Sequence, residues 1–568
     1  MFKSAVIKLL EKATGIERSD IDSIITVPPN SDMGDYAFPC FILSKKYKKS
    51  PVEIAKELAH KLTQAEEKYI EKINADGPYV NFFISQKMIA KNVLSAIFSE
   101  KEKYGMHHPK NKKKIVVEYP SPNTNKPLHL GHIRNMLIGS SLSNILEAAG
   151  NKVYRVNLNN DRGIHICKSM LAYQMFGKGK NPDVKSDHFV GKYYVLFSEQ
   201  ANKNPTLEDD AQEMLQKWEA GDKKVRALWK KMNSWAIKGF QETYDKFGIK
   251  FDKVYNESEI YEKGKNIVIK AFSEKIFLKE NDGSIVADLS KKGLGKKVLL
   301  RSDGTAVYIT QDIYLAELKY KDFHYDSSIY VVGSEQNHHF SVLFELLNML
   351  KSKAAQRCYH LSYGMISLPH GRMKSREGTV VDADDLISEI ESIASREVKK
   401  RYQDISEKEL AKRSHAIAMA SLRFFMLKYD PQRDFIFNPE ESISFEGETG
   451  PYLQYTYARI NSIIEKSGFK VTDKIDFSKL SENQEKNILN ILSKYNDTVK
   501  DAADKYKPSL IARYLIDLSQ VFNEYYHSVR ILNNDKDIVM PRLLLISAVA
   551  QVIKNGLRIL DIDVLNEM

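Results

Sequence analysis

Apolar residues follow alternating helical and strand rhythms along this chain, and the order of those rhythms divides it. The first hundred or so residues mix helical spacing, as in VEIAKELAHKL (52–62), with a short strand-like run at 79–84. The polar, basic stretch HHPKNKKK (107–114) reads as a linker, because neighbouring lysines repel one another and stay solvated. Residues 115–119 (IVVEY) form a β-rich run, followed by the breaker-rich loop PSPNTNKP (120–127). A helix is expected over about 131–149, with Ile138, Leu142, Ile145 and Ala149 on one face and Gly150 as its stop. A second strand at 153–158 sets Tyr154, Val156 and Leu158 inward and Arg155 and Asn157 outward. Strand, loop, helix and strand in this order make a doubly wound α/β unit. Residues from about 180 to 295 are charge-rich and mostly helical in pattern, an insertion between the halves of a sheet. Two more βα units follow. A strand at 306–310 leads into a helix around 313–318. A strand at 329–332 leads through GSEQN (333–337) into a helix with Phe340, Leu343, Phe344, Leu347 and Leu350 on one face. From about 382 onward the pattern is nearly all helical, predicting an α-helical bundle.

Length and composition agree with several globular domains. A chain of 568 residues exceeds one compact core and predicts roughly three or four domains. Glycine (27) and proline (17) are too sparse for collagen-like or low-complexity architecture. The net charge of +11 permits a polyanionic partner without demanding one, and a ribosomal or histone-like chain would be far more lopsided. Cys40, Cys167 and Cys358 are scattered and never paired as CxxC, which argues against a disulfide framework and a cysteine zinc site and for a reducing compartment. The opening stretch MFKSAVIKLLEKATGIERSD alternates apolar and charged residues and lacks a secretory apolar core, and the longest nearly apolar run, 543–553, is too short to span a bilayer. A soluble, cytoplasmic protein is expected.

Two segments carry candidate chemistry. The first is His129-Leu130-Gly131-His132, where the loop after the first strand enters a helix. Ligands of open α/β sheets sit beyond the carboxyl ends of the strands, and a helix N-terminus offers free N–H groups and partial positive charge to a phosphate. Gly131 lets a ligand approach the backbone, and two imidazoles three residues apart share one face and can donate to phosphate oxygens. The bland reading is that the histidines only cap the helix. A zinc reading is weaker, because an i,i+3 histidine pair lacks further ligands. The second segment is GRMKSREGT (371–379), a glycine-bounded loop with cations at Arg372, Lys374 and Arg376 that suits a triphosphate, its bland alternative being a solvated basic turn.

Taken together, these segments resemble the class I aminoacyl-tRNA synthetases, whose HIGH signature is matched at 129–132 and whose KMSKS signature is matched loosely at 372–376. The resemblance sharpens to the arginyl-tRNA synthetase family in EYPSPNTNKPLHLGHIRN (118–135), VNLNNDRG (156–163), RSDGTAVYITQD (301–312), GSEQNHH (333–339) and the long stretch 421–463, with GDYAFPC (34–40) near the start. It covers essentially the whole chain. It implies a Rossmann-like catalytic domain at 111–370 carrying the insertion, and an N-terminal α+β domain at 1–110 that meets the tRNA elbow. A loop with connecting helices at 371–430 and a helical anticodon-binding domain at 431–568 complete the chain.

The implied activity is ATP-dependent ligation of arginine to tRNA(Arg) through arginyl-adenylate, with Mg²⁺ accompanying ATP, no structural zinc and a monomeric protein. A catalytically silent, tRNA-binding relative is the alternative. In this family amino-acid activation generally waits for bound tRNA. The resemblance places His129, Gly131, His132, Met373, Lys374 and Ser375 on ATP. Ser375 stands where KMSKS has its second lysine, so the main catalytic cation is left open among Lys126, Arg372, Lys374 and Arg376. The arginine pocket is expected to use Glu118, Tyr308 and Asp312 for the guanidinium and Ser121, Asn123, His132 and Gln336 for the amino-acid head. Tyr452, Tyr455 and Tyr457 are expected to stack on tRNA bases, against the bland reading that helical aromatics pack a core.

Overall fold

The computed structural model describes residues 2–30, 33–65, 67–369, 381–532 and 535–568. Contacts divide the chain into two units: Met1–Tyr104 with Arg459–Tyr495 and Asp517–Ile553, and Gly105–Ala458 with Asn496–Ile516 and Lys554–Met568.

The first unit contains the expected α+β segment. Its three strands run antiparallel, with Tyr79–Ile84 between Tyr36–Pro39 and Ile70–Asp76. The expected helix is Pro51–Thr63, begun by Ser50 and Glu53 in a reciprocal capping box that satisfies two otherwise orphaned donors. Among its helical residues, Arg542 donates through Nε to the fully buried Glu485 (2.8 Å) and Tyr525 donates to the same carboxylate oxygen (3.1 Å). That carboxylate is kept because it is paired and hydrogen-bonded.

The second unit is built on five parallel strands in the spatial order Cys358–Tyr363, Ser327–Gly333, Lys114–Glu118, Lys152–Asn159, Lys253–Asn256. The first strand in sequence has its successor on one side and the fourth on the other. The chain therefore reverses direction across the sheet between Lys114–Glu118 and Ser327–Gly333, where a doubly wound sheet opens its ligand crevice. Val116, Val156 and Tyr330 pack with Ile313, Ala316 and Leu343 from the helices Tyr308–Phe323 and Asn337–Met349. The helix Leu130–Ala148 packs against three of the strands, with 15 of its 19 residues buried. Its Gly139 lies so close to the Tyr119 ring that a Cβ would collide with it.

Four local expectations are corrected. Asn157 is buried, not outward, because the parallel sheet is covered on both faces; its Oδ1 accepts from the Ser121 N–H (3.1 Å). No strand forms at 306–310. Ala306 makes a single bridge to Leu300 and the helix begins at Tyr308, so Tyr308 sits at a helix start and not at a strand end. The stretch 180–295 does contain the helices Ser186–Ala201, Thr206–Glu219 and Lys223–Lys246. It also supplies the edge strand Lys253–Asn256 and part of a small antiparallel sheet, Leu278–Lys279, Ile285–Asp288 and Lys296–Leu300. Downstream, the nearly all-helical pattern is interrupted by the two-residue strand Phe435–Ile436, paired with Ile366–Ser367.

Arg134 fixes that pairing to the helix Leu130–Ala148. Its guanidinium is fully buried and donates to the carbonyls of Met365 (3.1 Å), Pro431 (2.9 Å) and Arg433 (2.8 Å), with the Phe435 ring 4.6 Å away. Burial lowers its pKa to about 10, which still leaves it charged at neutral pH. Replacing it by methionine leaves the Pro431 carbonyl and the partly buried Met365 and Arg433 carbonyls without their donor. Arg134→Met is expected to lower urea-unfolding stability by roughly 3–5 kcal/mol, while Arg134→Lys recovers part of the loss.

Candidate active site

Beyond the carboxyl ends of Lys114–Glu118 and Ser327–Gly333 opens a cavity of about 860 Å³. Its walls include Glu118, Ser121, Asn123, His129, Gly131, His132, Tyr308, Asp312 and Gln336, so the structure brings these expected residues together. Glu335, His339, Leu315, Tyr330 and residues 363–368 are among its further walls.

The loop after the first strand is held by the end of the second. Asn160 Nδ2 donates to the Ser121 carbonyl (2.8 Å), the Asn160 N–H donates to Pro122 (3.0 Å), and the Thr124 N–H donates to the Asn160 carbonyl (3.2 Å). Ser121 takes a left-handed φ of 54° within this clamp. Asn157, expected to face outward, and Asn160, both in the VNLNND segment, thus support the loop.

The two histidines of 129–132 interlock. The Gly131 N–H donates to His129 Nδ1 (3.1 Å), the His129 N–H donates to His132 Nδ1 (3.2 Å), and the rings lie 3.8 Å apart. The capping reading is therefore correct as geometry, and it leaves function open at the other ring atom. Because each Nδ1 accepts, the proton of each neutral ring is assigned to Nε2. Burial, reinforced by Lys126, lowers His129 to about 4; burial, His129 and Lys126 hold His132 well below the usual histidine range. Both rings are neutral Nε2–H donors at pH 7. Gly131 has a second reason to lack a side chain, since a Cβ would crowd the His129 ring at 3.1 Å. Residues 128–130 are also paired to 381–383, through the Leu130 N–H to Val381 (2.9 Å) and the Ala383 N–H to Leu128 (3.0 Å). Arg372, Met373, Lys374, Ser375 and Arg376 lie outside the described residues.

The acidic wall differs from expectation in its partners. Asp312 binds His339 Nε2 through Oδ2 (2.7 Å). Glu118 is bound by the buried Lys319 ammonium (2.6 Å). The ring of Tyr308 is half-exposed, and the adjacent Asp312 carboxylate keeps the phenol pKa well above its ordinary value. Behind them lies Glu257, buried, 3.8 Å from Arg162 and within electrostatic reach of Asp312 and Tyr308. Burial raises its carboxyl to about 7 despite Arg162. His339 stood within the quoted GSEQNHH segment. Lys319 could have been found by spacing, seven residues after Asp312, but Glu257 carried no motif.

Gly264 permits the approach of the helix Glu257–Ser273 to the Tyr308 helix, because a Cβ there would collide with the Thr310 carbonyl. Tyr452 and Tyr455 are half-buried on the helix Gly450–Ser467, and Tyr457 is buried, so its ring is not offered for stacking. Among the described residues, one cluster gathers metal-ligating atoms, Asp187, His188 and Asp384. Lys185 lies within 3.0 Å of Asp187 and 2.6 Å of Asp384, and Lys246 within 2.7 Å of Asp384, making it an ion-pair network. No helix among the described residues is long and apolar enough to cross a membrane.

Comparison with known proteins gives three family matches: "tRNA synthetases class I (R), catalytic domain" over residues 93–439, "DALR anticodon binding domain" over 453–568, and "Arginyl tRNA synthetase N terminal domain" over 1–84. The arginine–tRNA ligase of Treponema denticola is 45% identical over 96% of this chain and 94% of its own. That of Treponema pallidum is 43% identical over 100% and 99%. The solved arginyl-tRNA synthetase of Thermus thermophilus superposes with a TM-score of 0.82 at 25% identity, covering 100% of both chains.

The pH response of Glu257 follows from its burial. Between its ordinary value of 4.5 and about 7, the unfolded chain has released the proton that the folded chain retains, so folding stability falls as pH rises through this window. Glu257→Gln is expected to be more stable than the parent at pH 8 by roughly 1–3 kcal/mol and equal to it near pH 4.5, measured by urea unfolding at both values.

Proposed function

The chain belongs to the arginyl-tRNA synthetases, ATP-dependent ligases that join arginine to tRNA, and on that premise we propose that the cavity at the sheet's reversal point binds ATP against the 129–132 helix start and arginine against Asp312. The arginine carboxylate attacks the α-phosphorus and pyrophosphate leaves; the terminal ribose hydroxyl of tRNA then attacks the activated carbonyl and AMP leaves. No covalent enzyme intermediate is needed. The protein's task is to hold the reactants in line and to stabilise charge as it develops on the phosphates.

His129 and His132 donate from Nε2 to the triphosphate. A neutral donor strengthens its bond as negative charge builds and does not lock the ground state as a fixed cation would. Lys126, which makes no ion pair among the described residues, supplies a cation near the α-phosphate, with Arg372, Lys374 and Arg376 as further candidates. Gly131, Met373, Lys374 and Ser375 complete the ATP contacts. Mg²⁺ comes with ATP as part of the substrate. The paired state of Glu118 and Asp312 supports an ion held mainly by phosphates and water, not by a protein cage.

The guanidinium is a planar, permanent cation with five donors, which suits a carboxylate already oriented by a second bond. Asp312, fixed by His339 through one oxygen, is that carboxylate, and Tyr308 closes the pocket beside it, its ring 5.3 Å from that of His339. Glu118, its charge balanced by Lys319, offers the guanidinium a second acceptor. Ser121, Asn123, His132 and Gln336 hold the amino and carboxylate groups. The carrying observation is the convergence of Asp312 and the His129–His132 pair on one cavity. The basic chain accepts tRNA(Arg), the N-terminal domain at its elbow and the helical C-terminal region at its anticodon, where Tyr452 and Tyr455 stack on bases. We place the protein in the cytoplasm as a monomer. Likeness to ligases over the full chain disfavours the catalytically silent alternative.

Asp312→Ala is expected to lower kcat/KM for arginine by about 10²–10³-fold in an aminoacylation assay, chiefly through KM, with the circular dichroism of the parent retained. An unchanged KM for arginine would remove Asp312 from the pocket.

A further inference from the structure

Glu118 and Tyr330 occupy partnered positions on adjacent parallel strands, so their side chains rise from the same face of the sheet. The helix Tyr308–Phe323 packs over that face. It presents Tyr308, Asp312, Leu315 and Lys319 at intervals of four, three and four residues, a single stripe. The first three line the cavity, as does Glu118. Lys319 is the fourth and has no exposed surface. Its ammonium lies 2.6 Å from Glu118 Oε2 and 3.6 Å from the centre of the Tyr330 ring.

An ammonium stripped of water persists only where an anion and an electron-rich surface replace that water, and here the carboxylate and the phenol ring do so together. The reverse also holds. Without Lys319, Glu118 would be an uncompensated carboxylate in a wall that already holds the His339-bound Asp312 carboxylate, facing a ligand with a single positive charge. The pair balances that charge and fixes the carboxylate by one oxygen. Oε1 has no hydrogen bond to any described residue.

We propose that Lys319 is a positioning residue for amino-acid recognition: by clamping Glu118 through Oε2 against the Tyr330 ring, it presents Oε1 as a fixed acceptor for one guanidinium N–H. The inference rests on the reading that Glu118 and Asp312 flank the bound guanidinium. It assigns Lys319 no contact with substrate.

The test is steady-state aminoacylation by the full chain, with labelled arginine, tRNA(Arg) and Mg²⁺–ATP, for Glu118→Gln, Lys319→Met and the double variant. Glu118→Gln is expected to raise the KM for arginine at least tenfold. Lys319→Met should raise it to a similar degree with the KM for ATP within twofold of the parent. The double variant should be no worse than Glu118→Gln alone, because Lys319 acts through Glu118. A Lys319→Met enzyme with unchanged arginine KM beside an impaired Glu118→Gln enzyme would overturn the inference and leave the reading standing. So would a loss spread equally over arginine and ATP, or a double variant whose defect is the product of the two singles. An unchanged KM in Glu118→Gln would instead overturn the placement of Glu118 itself, and the inference with it. Should Lys319→Met fail to fold, the double variant, which removes both charges together, decides: a KM equal to that of Glu118→Gln supports the inference and a larger one refutes it.

Discussion

Charge in the wall of this cavity survives only where it is paired, and the pairing dictates what the cavity accepts. Asp312 is held at one oxygen by His339, and Glu118 at one oxygen by Lys319. Each carboxylate is thereby oriented while keeping capacity for a further donor. A free acidic cluster would take up protons or collect arbitrary cations. Two pre-oriented carboxylates, one of them already balanced, suit a single planar cation. Glu257 shows what happens when pairing is incomplete: Arg162 stands 3.8 Å off, and burial pushes the carboxyl up to about 7.

The phosphate side of the cavity works by a different economy of charge. The Leu130 and Gly131 N–H groups at the helix start are already bonded within the protein, so the donors on offer are the two imidazoles, kept neutral by burial and by Lys126. Their Nδ1 atoms are consumed by the backbone, so the tautomer follows from the fold and not from the ligand. Capping and function are therefore one arrangement. The bonds that finish the helix also aim the donors.

Much of this could be read in the residues before any coordinates. Strand rhythm at 115–119 and 153–158 and helical rhythm between them located the βαβ unit, and the breaker-rich loop with His129–His132 located the phosphate end. Local pattern failed where tertiary context overrides it. Asn157 looks like a solvent-facing residue in an alternating strand, yet a parallel sheet buries both faces and uses that amide as a bracket for Ser121. The alternation at 306–310 belongs to the entry into a helix. The edge strand Lys253–Asn256 is only four residues long, too short to stand out within a charged helical stretch. Helical spacing puts Lys319 on the stripe of Asp312, but its partnership with Glu118, 201 residues away, cannot be read locally, because it depends on which strand lies beside which helix.

The central claim is that a single cavity holds a guanidinium at Asp312 and a triphosphate at the interlocked histidines. The most direct measurement is a crystal structure of the protein with arginine and a non-hydrolysable ATP analogue. The account predicts a guanidinium nitrogen within hydrogen-bonding distance of Asp312 and phosphate oxygens against the Nε2 atoms of His129 and His132. Arginine seated away from Asp312, or phosphates turned away from both histidines, would contradict it.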